Sequence, residues 1–87
     1  MDYEVIIKPS AEKSLNKLPK NVIARIVAAL DDLRAEPRPQ GTVKLSGEDD
    51  LYRIRVGKYR VVYAIEDERL LILVVRIDHR KDVYRRK

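Results

Sequence analysis

Two runs of alternating residues joined by Gly57-Lys58 constrain the fold of this chain more than any other stretch of its sequence. Alternation with a period of two predicts half-buried strands, and a two-residue connection that begins with glycine predicts a type II′ hairpin turn. The predicted hairpin covers residues 51–63 and places Arg55 directly opposite Arg60. Because side chains that face each other across two strands lie on the same side of the sheet, one side of the hairpin carries arginines and the other has to be covered by a core.

The two sides of the predicted hairpin differ in chemistry. The core side carries Tyr52, Ile54, Val56, Tyr59, Val61 and Tyr63. The other side carries Arg53, Arg55 and Arg60. Arginines opposite one another repel, and a fold tolerates this where a polyanion lies between them, because guanidinium groups bind phosphate oxygens in bidentate geometry. The arginine side is therefore predicted to bind phosphate; the alternative is a solvated sheet face with long basic side chains.

Length and residue content limit the classes of protein to which the chain can belong. With 87 residues, the chain is predicted to form one small domain, residues 1–87. The lack of cysteine excludes disulfides and thiolate zinc sites, and a single histidine argues against an imidazole metal site, so neither metal nor cofactor is expected. The longest apolar run, Leu70–Val75, is too short to span a bilayer, and charged residues interrupt the N-terminus where a signal peptide needs apolar ones. A cytoplasmic protein with no membrane partner is expected.

The net charge of +5 is distributed unevenly. Residues 51–87 contain eleven Lys and Arg against five Asp and Glu, whereas residues 1–50 contain eight basic and nine acidic residues. The basic half is also the half that contains the hairpin. This asymmetry indicates a polyanionic partner such as nucleic acid.

The first half of the chain predicts a strand followed by two helices. Residues 3–8 alternate as a strand does. Ser10 is predicted to be the N-cap of a short helix in which Glu12 lies in the favourable first turn, and Pro19 is predicted to end that helix and to fit the start of the next. Residues 21–36 carry apolar side chains at spacings of three and four, which predicts an amphipathic helix that covers the apolar side of the hairpin.

The second half predicts mainly strands. Residues 36–41 contain prolines and a glycine that break the helix, residues 42–45 are predicted to form a short edge segment, and residues 46–50 an acidic turn. Leu70–Val75 is apolar at every position, which predicts a strand buried on both faces, with helices on one face and the C-terminal segment, a partner chain or both on the other. Residues 76–87 are polar and basic, and a loop followed by a helical turn is expected there.

Together these elements predict an α+β fold of order β-α-α-β-β-β, in which two N-terminal helices pack on one face of a small, mainly antiparallel twisted sheet. The order and spacing of several motifs resemble the RelE/ParE toxin superfamily. These motifs are Tyr52-Arg-Ile-Arg55, Gly57-Lys-Tyr-Arg-Val-Val-Tyr63 and Asp78-His-Arg-Lys-Asp-Val-Tyr84, and the segments Ser10-Ala-Glu-Lys-Ser-Leu15 and Lys44-Leu-Ser-Gly47 also look like that family. The resemblance implies a RelE-like fold with a short C-terminal segment.

The resemblance also implies a function. RelE-like proteins are ribosome-dependent endoribonucleases that cut messenger RNA in the ribosomal A site and are neutralised by a cognate, RelB-like antitoxin. A ParE-like branch of similar fold inhibits DNA gyrase instead. A gyrase inhibitor without nuclease activity, or an inactive member that only binds RNA or its antitoxin, therefore remains an alternative.

The implied reaction activates a ribose 2′-OH against the neighbouring phosphate. It needs a base for the 2′-OH, stabilisation of the charged phosphorane and an acid for the 5′-oxygen. By resemblance, Arg60 holds the scissile phosphate, Arg80 lies on the leaving-group side, and Tyr84 stacks on or orients the nucleotide. No metal takes part in this chemistry.

Arg53 and Arg55 stand where some RelE enzymes carry lysines. Because arginine keeps its proton in proteins, Arg55 is expected to clamp the anion and not to act as a base. Proton transfer is left to Tyr84, His79, Lys58 or Lys81, or to groups on the ribosome, and imidazole is the side chain that exchanges its proton closest to neutral pH. The predicted catalytic residues are Arg60, Arg80, Tyr84, Arg55 and His79, and the predicted substrate-binding residues are Arg53, Arg55, Lys58 and Lys81.

Overall fold

Two helices cover one face of a five-stranded sheet in the computed structural model, which describes residues 2–45 and 51–79. The elements are β1 (Glu4–Ile7), α1 (Pro9–Asn16), α2 (Lys20–Ala35), β2 (Val43–Lys44), β3 (Leu51–Val56), β4 (Tyr59–Glu66) and β5 (Leu71–His79), with a 3-10 turn (Asp67–Arg69) between β4 and β5. The strands lie in the order β1-β5-β4-β3-β2, and only the β1–β5 pair is parallel. The predicted α+β class is confirmed, and the short edge segment predicted at residues 42–45 forms β2, so the observed order has one strand more than the predicted β-α-α-β-β-β.

The hairpin has the predicted register. Val56 pairs with Tyr59 and Arg55 pairs with Arg60 across β3 and β4. Gly57 has a φ of 60°, and among the described residues other than glycine only Leu70 has a positive φ. A positive φ at the first turn position alone is the signature of a type II′ turn, since type I′ needs a positive φ at both central residues.

The core lies between the helices and the tyrosine side of the hairpin. Its buried residues are Ala11, Leu15, Ile26, Leu30, Leu33, Tyr52, Ile54, Val61, Tyr63, Ile65, Ile72, Val74 and Ile77. Each aliphatic side chain that is fully removed from water contributes about 1.5–3 kcal/mol. The hydroxyl of the fully buried Tyr63 donates a hydrogen bond of 2.8 Å to the carbonyl of Pro37, so this polar group is satisfied inside the core.

The predicted N-cap of the first helix is wrong. Helix α1 begins at Pro9, with Lys8 as the N-cap residue and no side-chain capping bond, so Ser10 lies within the first turn. Proline fits the first helical position because its φ is preset and the amide hydrogen that it lacks has no partner there. Helix α1 ends at Asn16, before Pro19, and Pro19 is the N-cap residue of α2.

Strand β5 is longer than predicted, because Arg76–His79 continue the strand and do not form a loop. The register shifts between Val62 and Tyr63, which pair with Arg76 and Val74, so Val75 is the extra residue of a β-bulge. Without the bulge, the alternation that buries Ile72 and Val74 would turn the charged Arg76 toward the core. The bulge reverses the alternation and buries Ile77 instead.

Burial of the apolar run on β5 is only partly as predicted. Ile72 and Val74 are fully buried on the helix side, whereas Leu71, Leu73 and Val75 are half-buried. The two helices cover a single face of the sheet, which explains the difference.

The acidic turn predicted at residues 46–50 and the helical turn predicted near the C-terminus lie outside the described residues. No helix in the described part of the chain is long and apolar enough to cross a membrane.

Candidate functional site

Arg53, Arg55 and Arg60 lie together on the sheet face that is turned away from the helices. Arg55 and Arg60 are direct cross-strand partners, and Arg53 lies two residues before Arg55 on the same strand. Ile54, which lies between Arg53 and Arg55, and its cross-strand partner Val61 point the other way and are buried in the core. The prediction that the three arginines share one face is therefore confirmed.

A fourth arginine and an aspartate lie on the same face. After the bulge, Arg76 pairs with Val62 and Asp78 pairs with Arg60. The Asp78 carboxylate accepts a hydrogen bond from Arg76 Nε at 3.0 Å and forms an ion pair with Arg76 Nη2 at 2.7 Å. We call these five residues, Arg53, Arg55, Arg60, Arg76 and Asp78, the arginine face. Sequence reasoning assigned no role to Arg76 or Asp78, because the bulge that turns them outward leaves no mark in the local alternation.

The arginine side chains of this face differ in how far they are buried. Arg53 and Arg60 are half-buried, and Arg55 is exposed. Long basic side chains can pack their aliphatic stems on the sheet while the guanidinium group stays accessible. Four guanidinium groups and one carboxylate leave this face strongly positive among the described residues, so it is suited to an anion with several charges.

His79 lies on the opposite side of the sheet from the arginines. It pairs with Tyr59 at the end of β5, and its ring meets the Tyr59 ring edge to face, with the centroids 5.0 Å apart. The structure therefore does not bring His79 together with Arg55 and Arg60. Lys58 lies in the hairpin turn itself.

Three of the predicted site residues, Arg80, Lys81 and Tyr84, lie outside the described residues. Their roles remain predictions. His79, the last described residue, pairs with the residue next to Arg60.

A groove of about 590 Å³ runs along the edge of β3, next to the arginine face. It is lined by Arg53 and Arg55 on the strand, by Ala29 and Asp32 on α2, and by the loop around Gln40. Strand β2 pairs only with Tyr52 and Arg53, so it ends before Arg55 and leaves that part of the β3 edge to the groove. We call it the edge groove.

The loop that closes the edge groove is tied to the far end of the sheet. Arg38 donates to Asp67 at 2.9 Å, and its guanidinium carbon lies 5.0 Å from the centroid of the Tyr52 ring. The Tyr3 hydroxyl donates a 2.6 Å hydrogen bond to the same carboxylate. The hydrogen bonds from Arg38 and then Tyr3 hold the pKa of Asp67 below its ordinary value. This cluster fixes where the loop leaves α2.

Arg25 on α2 lies against the hairpin turn. A side chain at Gly57 would place its Cβ 3.2 Å from Arg25 Nη1, so the flexible end of Arg25 would have to shift by a few tenths of an ångström; glycine is needed there for its positive φ. Arg25 is an exposed residue of α2. Its contact with the turn depends on how helix and hairpin pack, and sequence periodicity does not report that.

The described residues contain no cluster of three or more His, Cys, Asp or Glu side chains that could hold a metal ion. The polar groups that the structure gathers are instead guanidinium groups. A site of this composition can bind and stabilise phosphate charge without a protein-bound metal.

Comparison with known proteins relates this geometry to one group of toxins. The family described as the ParE toxin of the type II toxin-antitoxin system parDE matches residues 5–84. The chain is 37% identical over 87 residues to the toxin RelG of Mycobacterium tuberculosis, and the match covers 99% of this chain and 100% of that toxin.

Solved structures show the same relationship. The archaeal RelE–RelB complex of Pyrococcus horikoshii contains a chain that matches with a TM-score of 0.83 at 35% identity, over 92% of this chain and 97% of that one. The toxin-antitoxin complex RelBE2 of Mycobacterium tuberculosis contains another, with a TM-score of 0.81 at 33% identity, over 92% of this chain and 100% of that one.

Proposed function

The chain belongs to the RelE/ParE superfamily of type II toxins, and we propose that it is a ribosome-dependent endoribonuclease that cleaves messenger RNA in the A site and so inhibits translation. The observation that carries the proposal is the crowding of Arg53, Arg55 and Arg60 on one face of a hairpin. A sheet face with directly opposed arginines is stabilised when a phosphodiester lies between them.

In the proposed reaction, the ribose 2′-oxygen attacks the adjacent phosphorus and the bond from phosphorus to the 5′-oxygen breaks. The products are a 2′,3′-cyclic phosphate and a free 5′-hydroxyl. Arg60 holds the scissile phosphate, and Arg53 and Arg55 neutralise the charge that builds up on the phosphorane. Arg80 stabilises the leaving 5′-oxygen, and Tyr84 orients the nucleotide.

A base must remove the 2′-OH proton, and an acid must give a proton to the 5′-oxygen. Since arginine keeps its proton, the proposal assigns these transfers to Tyr84, His79, Lys58 or Lys81, or to ribosomal groups. His79 is the last residue of β5 and points to the helix side. Its imidazole would therefore have to reach past the end of the strand to contact RNA on the arginine face. The reaction uses no metal or cofactor.

The proposed partners are the ribosome, messenger RNA and a RelB-like antitoxin. The solved relatives from Pyrococcus horikoshii and Mycobacterium tuberculosis were determined as complexes with antitoxins. The arginine face and the half-buried Leu73 and Val75 beside it suit a partner segment that is both acidic and apolar. A ribosome-dependent activity requires the protein to work in the cytoplasm, as one RelE-like domain over residues 1–87.

The direct test is primer extension on messenger RNA from programmed ribosomes exposed to the protein. We expect cuts at the A-site codon with the unmodified protein and at least a 100-fold slower reaction with Arg60→Ala and with Arg80→Ala. Arg34→Ala, which removes an exposed arginine on α2, is the matched control and should cut normally. Uncut RNA with the unmodified protein contradicts the proposal. Loss of the melting transition in Arg60→Ala would mean that this arginine is structural.

A second candidate function, inhibition of DNA gyrase, is favoured by one observation: the family that matches residues 5–84 is described as the ParE toxin. This function predicts loss of supercoiling by purified gyrase and a DNA-damage response in cells, with intact messenger RNA. Cut RNA together with normal supercoiling favours the nuclease. RNA binding with neither effect indicates an inactive member that only binds RNA or its antitoxin.

A further inference from the structure

We propose that the edge groove is a nucleotide-binding subsite. It holds the nucleotide that adjoins the phosphate bound by the arginine face. This inference rests on the proposed function, because it assumes that single-stranded RNA lies across the arginine face. It adds contacts from α2 and from the loop around Gln40 that the sequence motifs do not contain.

Continuity with the arginine face is the first argument for this subsite. Arg53 and Arg55 belong to the arginine face and also line the edge groove. A phosphate bound by these guanidinium groups therefore places the sugar and base of an adjoining nucleotide at the mouth of the groove. The volume of about 590 Å³ lies within the range of about 300–1,000 Å³ that small-molecule sites occupy.

The chemistry of the lining is the second argument. The groove has apolar surface from Ala29 and Val43 for the face of a base, and the Gln40 amide supplies a donor and an acceptor for its edge. The β3 edge adds backbone groups. Leu51 accepts a hydrogen bond from the Leu45 amide, and because alternate residues of an antiparallel strand point the same way, the amide and carbonyl of Arg55 face the groove beyond the end of β2.

An added peptide strand is the competing occupant of such an edge. Beyond Arg53, which pairs with β2, only Ile54–Val56 remain of β3. Three residues are fewer than the roughly five or six of an ordinary strand. Asp32 also lines the groove and would repel the acidic side chains of a partner that seeks the arginines. A nucleotide, whose phosphate stays on the arginine face and whose uncharged base enters the groove, is repelled less by Asp32 than an acidic side chain inside the groove would be.

The test measures the affinity of the purified protein for a fluorescein-labelled, single-stranded RNA octamer with one central 2′-deoxynucleotide, by fluorescence anisotropy. Ala29→Glu puts a carboxylate into the groove, and we expect at least a fivefold higher Kd. Ala28→Glu, the same change at the preceding, exposed position of α2 that does not line the groove, should change the Kd less than twofold. Melting curves establish that both variants are folded.

A second pair of variants leaves the packing of α2 unchanged. Asp32→Asn removes the negative charge from the groove and is expected to lower the Kd about two- to fourfold. Asp31→Asn changes the net charge equally but lies outside the groove, where Asp31 is 4.0 Å from Arg34, and should have less than half that effect. Equal effects of the two substitutions would mean that the Kd depends only on the net charge of the protein, and would overturn the subsite.

Failure of the subsite and failure of the proposed function give different results. If the unmodified protein cuts messenger RNA on ribosomes but Ala29→Glu and Asp32→Asn bind the octamer like their controls, the subsite is overturned and the proposed nuclease activity is supported. If the protein never cuts messenger RNA but the variants change the Kd as expected, the subsite is supported and the proposed nuclease activity is overturned. If Ala29→Glu weakens only antitoxin binding, the groove is a protein site and the inference is wrong.

Discussion

At the scale of single residues, the defining feature is the direct opposition of Arg55 and Arg60 on neighbouring strands. Like charges in this position destabilise a sheet, by about 0.2–1 kcal/mol per pair. Both residues contribute positive charge to one face, and that charge is useful only when an anion is present. The arginine face is therefore a place where local stability and the proposed function oppose each other.

Replacing Arg55 by the uncharged glutamine should separate these two effects. We expect Arg55→Gln to raise Tm by about 1–5 °C, because the repulsion of Arg60 is relieved, and to slow RNA cleavage at least tenfold. Calorimetry and primer extension measure the two quantities. Arg69→Gln, which removes an exposed arginine that pairs with Glu66 in the turn before β5, serves as the control and should leave cleavage unchanged. A lower Tm for Arg55→Gln would show that Arg55 is held by stabilising contacts instead.

At the scale of secondary-structure elements, the bulge at Val75 decides which side chains of β5 reach the site. It turns Arg76 and Asp78 toward the arginine face and Ile77 and His79 toward the helices. A strand without the bulge would have the opposite arrangement over its last four residues. One extra residue thus sets the composition of both faces at this end of the sheet.

Deletion of Val75 should remove the bulge without reversing the faces after it, because Arg76 then follows Val74 directly and still pairs with Val62. We expect the free energy of unfolding to fall by less than about 1.5–3 kcal/mol, since Ile77 stays in the core and only a half-buried side chain is lost. Val75→Ala, which keeps the chain length, is the control. Urea denaturation of both variants and the unmodified protein measures the change. A loss above this range for the deletion alone would show that the extra residue is needed for the register of β5.

The contact between the loop after α2 and the turn before β5 should respond to acid. Arg38 and Tyr3 hydrogen-bond to ionised Asp67, which lowers the pKa of Asp67 below its ordinary value of 3.8. A lowered carboxyl pKa stabilises the fold above the unfolded-state value and ceases to do so as the pH falls through the folded-state value. The contribution of Asp67 is therefore present at neutral pH and disappears below about pH 4.

We therefore expect Asp67→Asn to be less stable than the unmodified protein at pH 7 and equally stable near pH 2. Thermal unfolding across this pH range gives the comparison. Glu68→Gln removes the same charge from the neighbouring position in the turn and should show no such convergence. A constant difference between Asp67→Asn and the unmodified protein at all pH values would mean that the aspartate acts through its shape and not its charge.

At the scale of the whole molecule, the sheet face turned away from the helices carries an apolar row beside the arginine face. The row crosses four strands, since Ile6 pairs with Leu73, Leu73 with Ala64, and Ala64 with Leu51. The arginine face lies on the side of this row that is nearer the hairpin turn. A partner that covers both therefore needs apolar side chains over the row and acidic groups over the arginine face, as the proposed antitoxin would supply.

Charge neutralisation by the arginine face predicts how RNA affinity depends on salt. If Arg53, Arg55 and Arg60 each neutralise about one phosphate, the logarithm of the binding constant should fall with the logarithm of salt concentration with a slope of about −2. Arg60→Gln should reduce the magnitude of this slope by about 0.7. Anisotropy titrations from about 50 to 300 mM salt supply both values. A slope near zero would exclude phosphate contacts as the basis of binding.

Much of the fold could be predicted because its signals are local. The stripe of α2 predicted a helix whose bounds differ by one residue from those observed, and the alternation around Gly57 predicted the hairpin register. The Ser10 N-cap was predicted wrongly because Ser10 and Pro9 both favour a helix start, and proline occupied the first position. Arg76 and Asp78 were missed in the site because their orientation depends on pairing with β4.

The amino-acid sequence by itself determined the two sides of the hairpin, and with them the shared face of Arg53, Arg55 and Arg60. Strand alternation and a glycine turn act between neighbouring residues, so they are legible in a single sequence. Only the tertiary structure decided that β1 lies beside β5, that the bulge turns His79 away from the arginines, and that Arg38 meets Asp67. These features join residues far apart in the chain, and packing of the common core selects them.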